Sequence, residues 1–439
     1  MKARGYVIVV LVLAAASCGA VVAFNARVDP YGLAAVPDRT NLAPDAPRPG
    51  AFFRKVLTVR EAMPRTIVLG TSRAEFGIDP RAPGFTAEYA PVLNVALGGL
   101  SIEQMRLVLI HANAVSPLRL AVIGLDLESF LDAGRTDFDP AALEGNAESE
   151  PPLLVRLRLA MSRDALAASL ARVNAVPSGA AAAGPAAATA GPPPARNWRI
   201  TDRALRLWDG QHGLIWVAEY DNFYSRMRLF FPDESTASRW EGDPRRRAAM
   251  ASFRQLLRYA RSHGIELRMF ISPVHARYLE WYREVGWWPL YEAWKRGLVD
   301  SVDAAVNEGG QQPAVALWDF GGFHAISTET VPPVGDHRTH MRWYRDTSHY
   351  SPDVGDMIVA RIMGARAAVP VPLPESPMSK ATIDADLARA RDDEMRFRRD
   401  APDQVPTSAR CSPTCGASPI DRPFRPQPPS PRSSRSNPC

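Results

Sequence analysis

Five short apolar runs separated by helical stretches constrain this chain more than any other feature. Thr66 to Leu69, Val92 to Ala96, Leu120 to Leu125, Ile265 to Ile271 and Ala314 to Trp318 each read as a strand. They are too short for core helices and rich in branched residues. Between the second and third runs, Ser101 to Asn113 has helical spacing, with Ser101 as cap and Gln104 at the capping-box position. Asp243-Pro244 is a cap and first-turn proline that open an Arg-rich helix to about Ser262. Ala276 to Val306 is mainly helical, with an interruption at Trp287-Trp288-Pro289, and Ser351-Pro352-Asp353 caps a last helix to about Ala367. Strands alternating with helices at these lengths predict an α/β domain with a mostly parallel sheet and right-handed crossovers.

The amino end has a different character. Lys2 and Arg4 precede Gly5 to Phe24, an uncharged run. At about 1.5 Å per residue it just spans a bilayer's hydrocarbon core. The basic flank stays cytoplasmic, so the remainder is expected on the far side of a lipid bilayer crossed once by residues 5–24. Two rivals use the same residues: a cleaved signal peptide, and a lipoprotein modified at Cys18 after Ala15-Ala16-Ser17. The apolar run continues past Cys18 through Val21 to Phe24, which favours the uncleaved anchor.

Composition divides the rest. The 40 prolines concentrate near the amino end, between Pro177 and Pro194, and after Pro370. Residues 25–50 read as an extended juxtamembrane stalk, and 51–369 as the folded domain. Near 175–195 the chain is Ala, Gly and Pro with almost no charge, a low-complexity insertion. Residues 370–439 read as a largely disordered tail carrying one polar helix from Thr382 to Arg399. The four cysteines, Cys18, Cys411, Cys415 and Cys439, all lie outside the presumed core, so no disulfide framework holds it. A formal charge of +5 is too weak an excess to suggest a nucleic-acid partner. The eight histidines show no metal-ligand spacing, so neither a metal nor a cofactor is expected.

Ser72 follows the first strand through Gly70-Thr71, which presents its hydroxyl at the carboxyl end of a strand, where open α/β sheets hold their ligands. A serine hydroxyl needs a base within hydrogen-bond reach and donors for the developing oxyanion. Asp346-Thr347-Ser348-His349 offers both a base and its orienter on one short loop before a helix. The expected catalytic set is therefore Ser72 as nucleophile, His349 as base and Asp346 as orienter.

These blocks resemble the SGNH, or GDSL-like, hydrolase superfamily, and most closely its membrane-anchored extracytoplasmic branch. Gly70-Thr71-Ser72-Arg73 resembles the first block, with Thr71 where many members carry Asp. Asn94-Val95-Ala96-Leu97-Gly98-Gly99 resembles the second, and Asp346-x-x-His349 the fifth. The resemblance implies a three-layer α/β/α sandwich of flavodoxin-like type. It also implies hydrolysis or transfer of acyl esters, often on carbohydrates, by a domain outside the bacterial inner membrane. The amides of Ser72 and Gly99 would form the oxyanion hole, with Asn94 as a further candidate. One position departs: Asp126, in Val122 to Glu128, stands where the third block has an Asn donor, and an ionised carboxylate only accepts. A non-catalytic scaffold or glycan-binding protein is the alternative.

Three further readings concern the surroundings. Arg73, beside the nucleophile, and Asp126 and His275, each after a strand end, are candidates to line a substrate site. Trp281, Trp287, Trp288 and Trp294 with Tyr282 and Tyr291 suit a sugar platform or a membrane interface, though core packing explains the same pattern. Arg245-Arg246-Arg247 reads as an exposed helix face.

Overall fold

In the computed structural model, residues 2–28, 55, 58–131, 157, 160–174, 242–284, 286–308, 314–331, 341–344, 346–364, 373–374 and 376–405 are described. The expected stalk beyond residue 28, the insertion near 175–195 and the tail beyond residue 405 lie outside them.

The strands are β1 (Thr66–Leu69), β2 (Val92–Asn94), β3 (Leu120–Leu125), β4 (Glu266–Ile271) and β5 (Val315–Asp319). They form one sheet in the order β2-β1-β3-β4-β5, and every neighbouring pair is parallel. The chain starts at β1, steps outward to β2, then returns to the other side of β1 and proceeds through β3 to β5. The reversal falls between β1 and β3, so a crevice opens beyond their carboxyl ends.

Side chains alternate between the two faces of the sheet, as a two-residue period requires. Ile67, Leu69, Ala121, Ile123, Leu267 and Met269 meet apolar residues of α3 (Ile102–Val115), α5 (Pro244–Ser262), α6 (Ala276–Glu284) and α7 (Trp288–Asn307). Val68, Leu120, Val122, Phe270 and Trp318 meet Ala74 of α2 (Ser72–Gly77) and Val354, Ile358 and Ile362 of α8 (Pro352–Ile362). All six residues of β3 are buried, which explains its unbroken apolar run. Each large aliphatic side chain sealed in this way contributes about 1.5–3 kcal/mol.

Local signals explain several boundaries. Ser101 and Gln104 form the reciprocal capping box at the start of α3. Asp243 accepts from the Arg245 amide ahead of Pro244. α8 begins at the proline after Ser351, although the Ser351 hydroxyl makes no capping bond. α6 and α7 divide at the expected interruption, and their tryptophans are buried: Trp281, Trp287, Trp288 and Trp294 all belong to the core. Their faces are spent on protein contacts, so the sugar-platform reading does not hold for them. Of the arginine run, Arg246 is buried and only Arg245 and Arg247 are exposed.

Three further helices complete the description. α1 (Lys2–Val28) contains Gly5–Val28, whose mean hydropathy of 2.8 makes it long and apolar enough to cross a membrane. It runs beyond Phe24, and α4 (Arg163–Asn174) packs along it. α9 (Ile383–Asp400) starts one residue after the position read from the sequence. It is docked: Ile383, Leu387 and Phe397 join the core beside α7, and Arg398 meets the buried Glu280 carboxylate at 2.6 Å. Its charged composition hid a narrow apolar stripe.

Candidate active site

The first element of the site is a tight turn. β1 ends at Leu69, and Gly70 adopts φ +147 beside Ala74 and Gly124. A Cβ at Gly70 would lie 2.7 Å from the Ala74 side chain and 3.0 Å from the Gly124 carbonyl, so only glycine lets the chain turn there. Thr71 then caps α2 by accepting from the Arg73 amide, and Ser72 becomes the first helical residue. Ser72 is half-buried, just past the carboxyl end of β1.

The second element is the Asp346–His349 loop. An antiparallel bridge between Tyr344 and Tyr350 closes it, and the Ser351 amide donates to the Trp343 carbonyl at 2.7 Å. Asp346 Oδ1 accepts from the amides of Ser348 and His349 at 2.8 and 2.9 Å. The His275 amide donates to the Thr347 carbonyl at 2.9 Å, which ties the loop to the end of β4.

These elements bring the three expected side chains together. His349 Nδ1 lies 2.8 Å from Asp346 Oδ2, and His349 Nε2 lies 2.8 Å from Ser72 Oγ. An ionised carboxylate can only accept, so Nδ1 carries the proton and the Nε2 lone pair accepts from the serine hydroxyl. Burial alone would raise the Asp346 pKa. The His349 ring and the two loop amides outweigh it and bring the pKa down to about 2. About a third of that side chain, 36%, stays open to solvent. The Phe76 ring stands edge-on to the imidazole at 5.5 Å.

The third element is the loop after β2. Gly99 adopts φ +78, where a side chain is strained, and Gly98 packs against Ser72 closely enough that a Cβ there would sit 3.5 Å from the serine Cβ. The Leu97 amide donates to the Gly70 carbonyl at 3.1 Å, and the Gly98 amide to Glu75 Oε2 at 3.0 Å. Glu75 is in turn paired with Lys55 at 2.9 Å. Among the described residues, neither the Ser72 nor the Gly99 amide donates to another group.

Four other expectations change. The Asn94 amide group donates to the Ala74 and Ile78 carbonyls at 3.0 and 2.8 Å, and its oxygen accepts from the Ala96 amide. Both of its donors are therefore spent on backbone, and it does not serve an oxyanion. His275 is fully buried, with Nε2 on the Glu329 carbonyl and Nδ1 accepting from the Arg277 amide. Burial pushes its pKa down to about 3, so it is a neutral structural histidine and not a substrate contact. Asp126 accepts from the Thr71 hydroxyl and lies 2.9 Å from Arg73 Nη1, so it is committed inside the protein. Arg73 is equally committed. Its fork grips Glu128 through Nη1 and Nη2 at 3.0 and 3.1 Å, and its Nε donates to Ser348 Oγ at 3.1 Å. With 5% exposure, it has no face left for an anionic substrate.

Sequence reasoning missed Glu75, Lys55, Glu128 and Ser348. Each acts on a partner that is close only in space, and no spacing rule connects Arg73 to Ser348 or Lys55 to Glu75. Tyr278, which the sequence reading did not single out, and Tyr282, which it counted among the aromatics, both donate to Glu128. Among the described residues, no group of three or more His, Cys, Asp and Glu is arranged to hold a metal ion. A scan against protein-family models gives no match, and a search of curated proteins gives none either.

Proposed function

We propose that this chain is a membrane-anchored serine esterase or acyltransferase of SGNH-like type. In this reading its domain is a three-layer α/β/α sandwich of flavodoxin-like topology, held on the periplasmic side of a bacterial inner membrane by α1. One observation carries the reading: Ser72 Oγ, His349 Nε2 and Asp346 Oδ2 are joined in series by two contacts of 2.8 Å. That arrangement is the one a nucleophile, base and orienter require.

The chemistry follows from the geometry. His349 Nε2 takes the Ser72 proton as Oγ attacks an acyl carbonyl. The oxyanion develops between the Ser72 and Gly99 amides, with the positive end of α2 behind it. His349 then returns the proton to the departing alkoxide. Asp346 stays ionised and stabilises the imidazolium throughout. Water or an acceptor hydroxyl resolves the acyl-enzyme, with the acyl ester placed on cell-envelope or exported polysaccharide. No cofactor enters these steps.

A second reading rests on Asp126. Its engagement with Thr71 and Arg73 leaves no side-chain donor at the position that the resemblance assigns to Asn. One missing donor lowers transition-state stabilisation by about 2.7–4 kcal/mol. A catalytically silent scaffold follows if two backbone amides are insufficient. A fluorophosphonate probe separates the readings. Labelling of the full chain that disappears in Ser72→Ala supports the enzyme, and absence of labelling in the unaltered chain sinks it.

A further inference from the structure

Arg73 directly follows the proposed nucleophile, and Ser348 directly precedes the proposed base. Arg73 Nε donates to Ser348 Oγ at 3.1 Å, and Ser72 Oγ meets His349 Nε2 at 2.8 Å. These two contacts and two peptide links form a small closed ring: Ser72, Arg73, Ser348, His349 and back to Ser72. A single hydrogen bond fixes a distance and leaves rotation free. A second bond one residue away on both sides removes that freedom.

The guanidinium in this ring cannot drift. Its fork is held bidentate by Glu128, and Asp126 at the end of β3 lies 2.9 Å from Nη1. The Glu128 carboxylate is held in turn by the hydroxyls of Tyr278 and Tyr282, and the Tyr278 ring lies 5.0 Å from the Arg73 Cζ. Burial works against both charges, yet the two carboxylates raise the Arg73 pKa, and Arg73 with the tyrosine hydroxyl lowers that of Glu128 to about 2. Both groups stay ionised. The planar fork thus transmits the position of the carboxyl end of β3 and of α6 to a loop that carries the proposed base.

We propose that Arg73 is a positioning residue that acts through the Ser348 hydroxyl to hold the His349 ring on Ser72. The proposal rests on the triad reading above and adds to it a device that sets the triad's geometry from outside. It also explains why an arginine beside the nucleophile is turned inward, where a substrate-binding arginine would point outward.

The full chain in detergent tests it with a fluorophosphonate probe and p-nitrophenyl acetate. Ser348→Ala deletes one hydroxyl and leaves the buried charges in place. The expected result is a labelling rate and kcat lower by about tenfold, with KM within about twofold and the melting temperature unchanged. Ser348→Thr, which keeps the hydroxyl, restores the rate. Labelling of Ser348→Ala at the unaltered rate, while Ser72→Ala abolishes labelling, overturns the positioning role and leaves the triad standing. A slowdown that Thr does not rescue, or one accompanied by a lowered melting temperature, also overturns it. Absence of Ser72 labelling in the unaltered chain removes the triad and this role together.

Discussion

The Ser72 hydroxyl and the His349 ring, 277 residues apart along the chain, stand 2.8 Å from each other across the sheet's switch point. The contact depends on the close packing of α2 against α8 and on the loop that precedes α8.

Asp346→Asn preserves the shape of the loop but removes the charge that orients His349 Nδ1–H. If the triad is active, kcat falls about a thousandfold or more with little change in melting temperature. The Asp346 pKa of about 2 makes a second prediction for the same protein. The carboxylate stays charged above about pH 4, so Asp346 adds no proton to the acid limb of the rate profile above that pH. A two-proton acid limb in steady-state kinetics would show that Asp346 also titrates there.

The packing of α2 on α8 has almost no slack. A Cβ at Gly355 would lie 1.7 Å from the Gly77 carbonyl oxygen. Gly355→Ala must push the two helices apart, with a stability loss of about 1–3 kcal/mol or more. The same shift lengthens the Ser72–His349 contact, so activity falls further than the folded fraction does. Thermal melting and active-site titration measured together check both effects.

His275 makes stability depend on pH. Its pKa is about 3 in the folded protein against an ordinary 6.5, because burial disfavours the charged ring. The unfolded chain therefore binds the extra proton across the interval between those values. The histidine's contribution is complete above pH 6.5, and it is lost progressively as pH falls toward 3. At about pH 5 the loss is about 2 kcal/mol. Denaturant unfolding at two pH values should show this slope, and His275→Gln should flatten it while lowering stability at neutral pH. An unchanged slope in that variant would assign the acid sensitivity to other groups.

Lys295 is buried on α7 and meets Asp319, at the end of β5, at 2.6 Å. Burial works against its charge, but Asp319 outweighs burial and raises its pKa. Lys295→Met leaves a largely buried carboxylate without its cation and should destabilise the domain by about 3–5 kcal/mol. The double variant Lys295→Met/Asp319→Asn should recover part of that loss. A single variant as stable as the unaltered chain would show that Asp319 is already well solvated without the lysine.

The strands, the Ser101 capping box and the start of α5 were legible because each depends on residues a few positions apart. The segments that carry Ser72, Asp346 and His349, which the fold brings into contact, were legible for the same reason: they are compact, one after a strand end and one before a helix. Asn94, His275 and Arg73 were misread because a polar residue near a site looks the same in sequence whether its donors face inward or outward. The apolar stripe of α9, formed by Ile383, Leu387 and Phe397, was hidden because charged residues outnumber it and its partner surface is built from distant segments.

By itself, then, the sequence determined an α/β domain with parallel strands, an apolar amino-terminal helix, a serine just past a strand end and an Asp-x-x-His loop before a helix. These follow from local periodicity, caps and strand-end glycines. Only the tertiary structure decided which polar groups face the crevice. It turned Arg73 onto Asp126, Glu128 and Ser348, spent Asn94 on backbone carbonyls, and sealed His275 beneath the loop. The physical reason is that a buried donor or charge must find its partner wherever the folded chain supplies one.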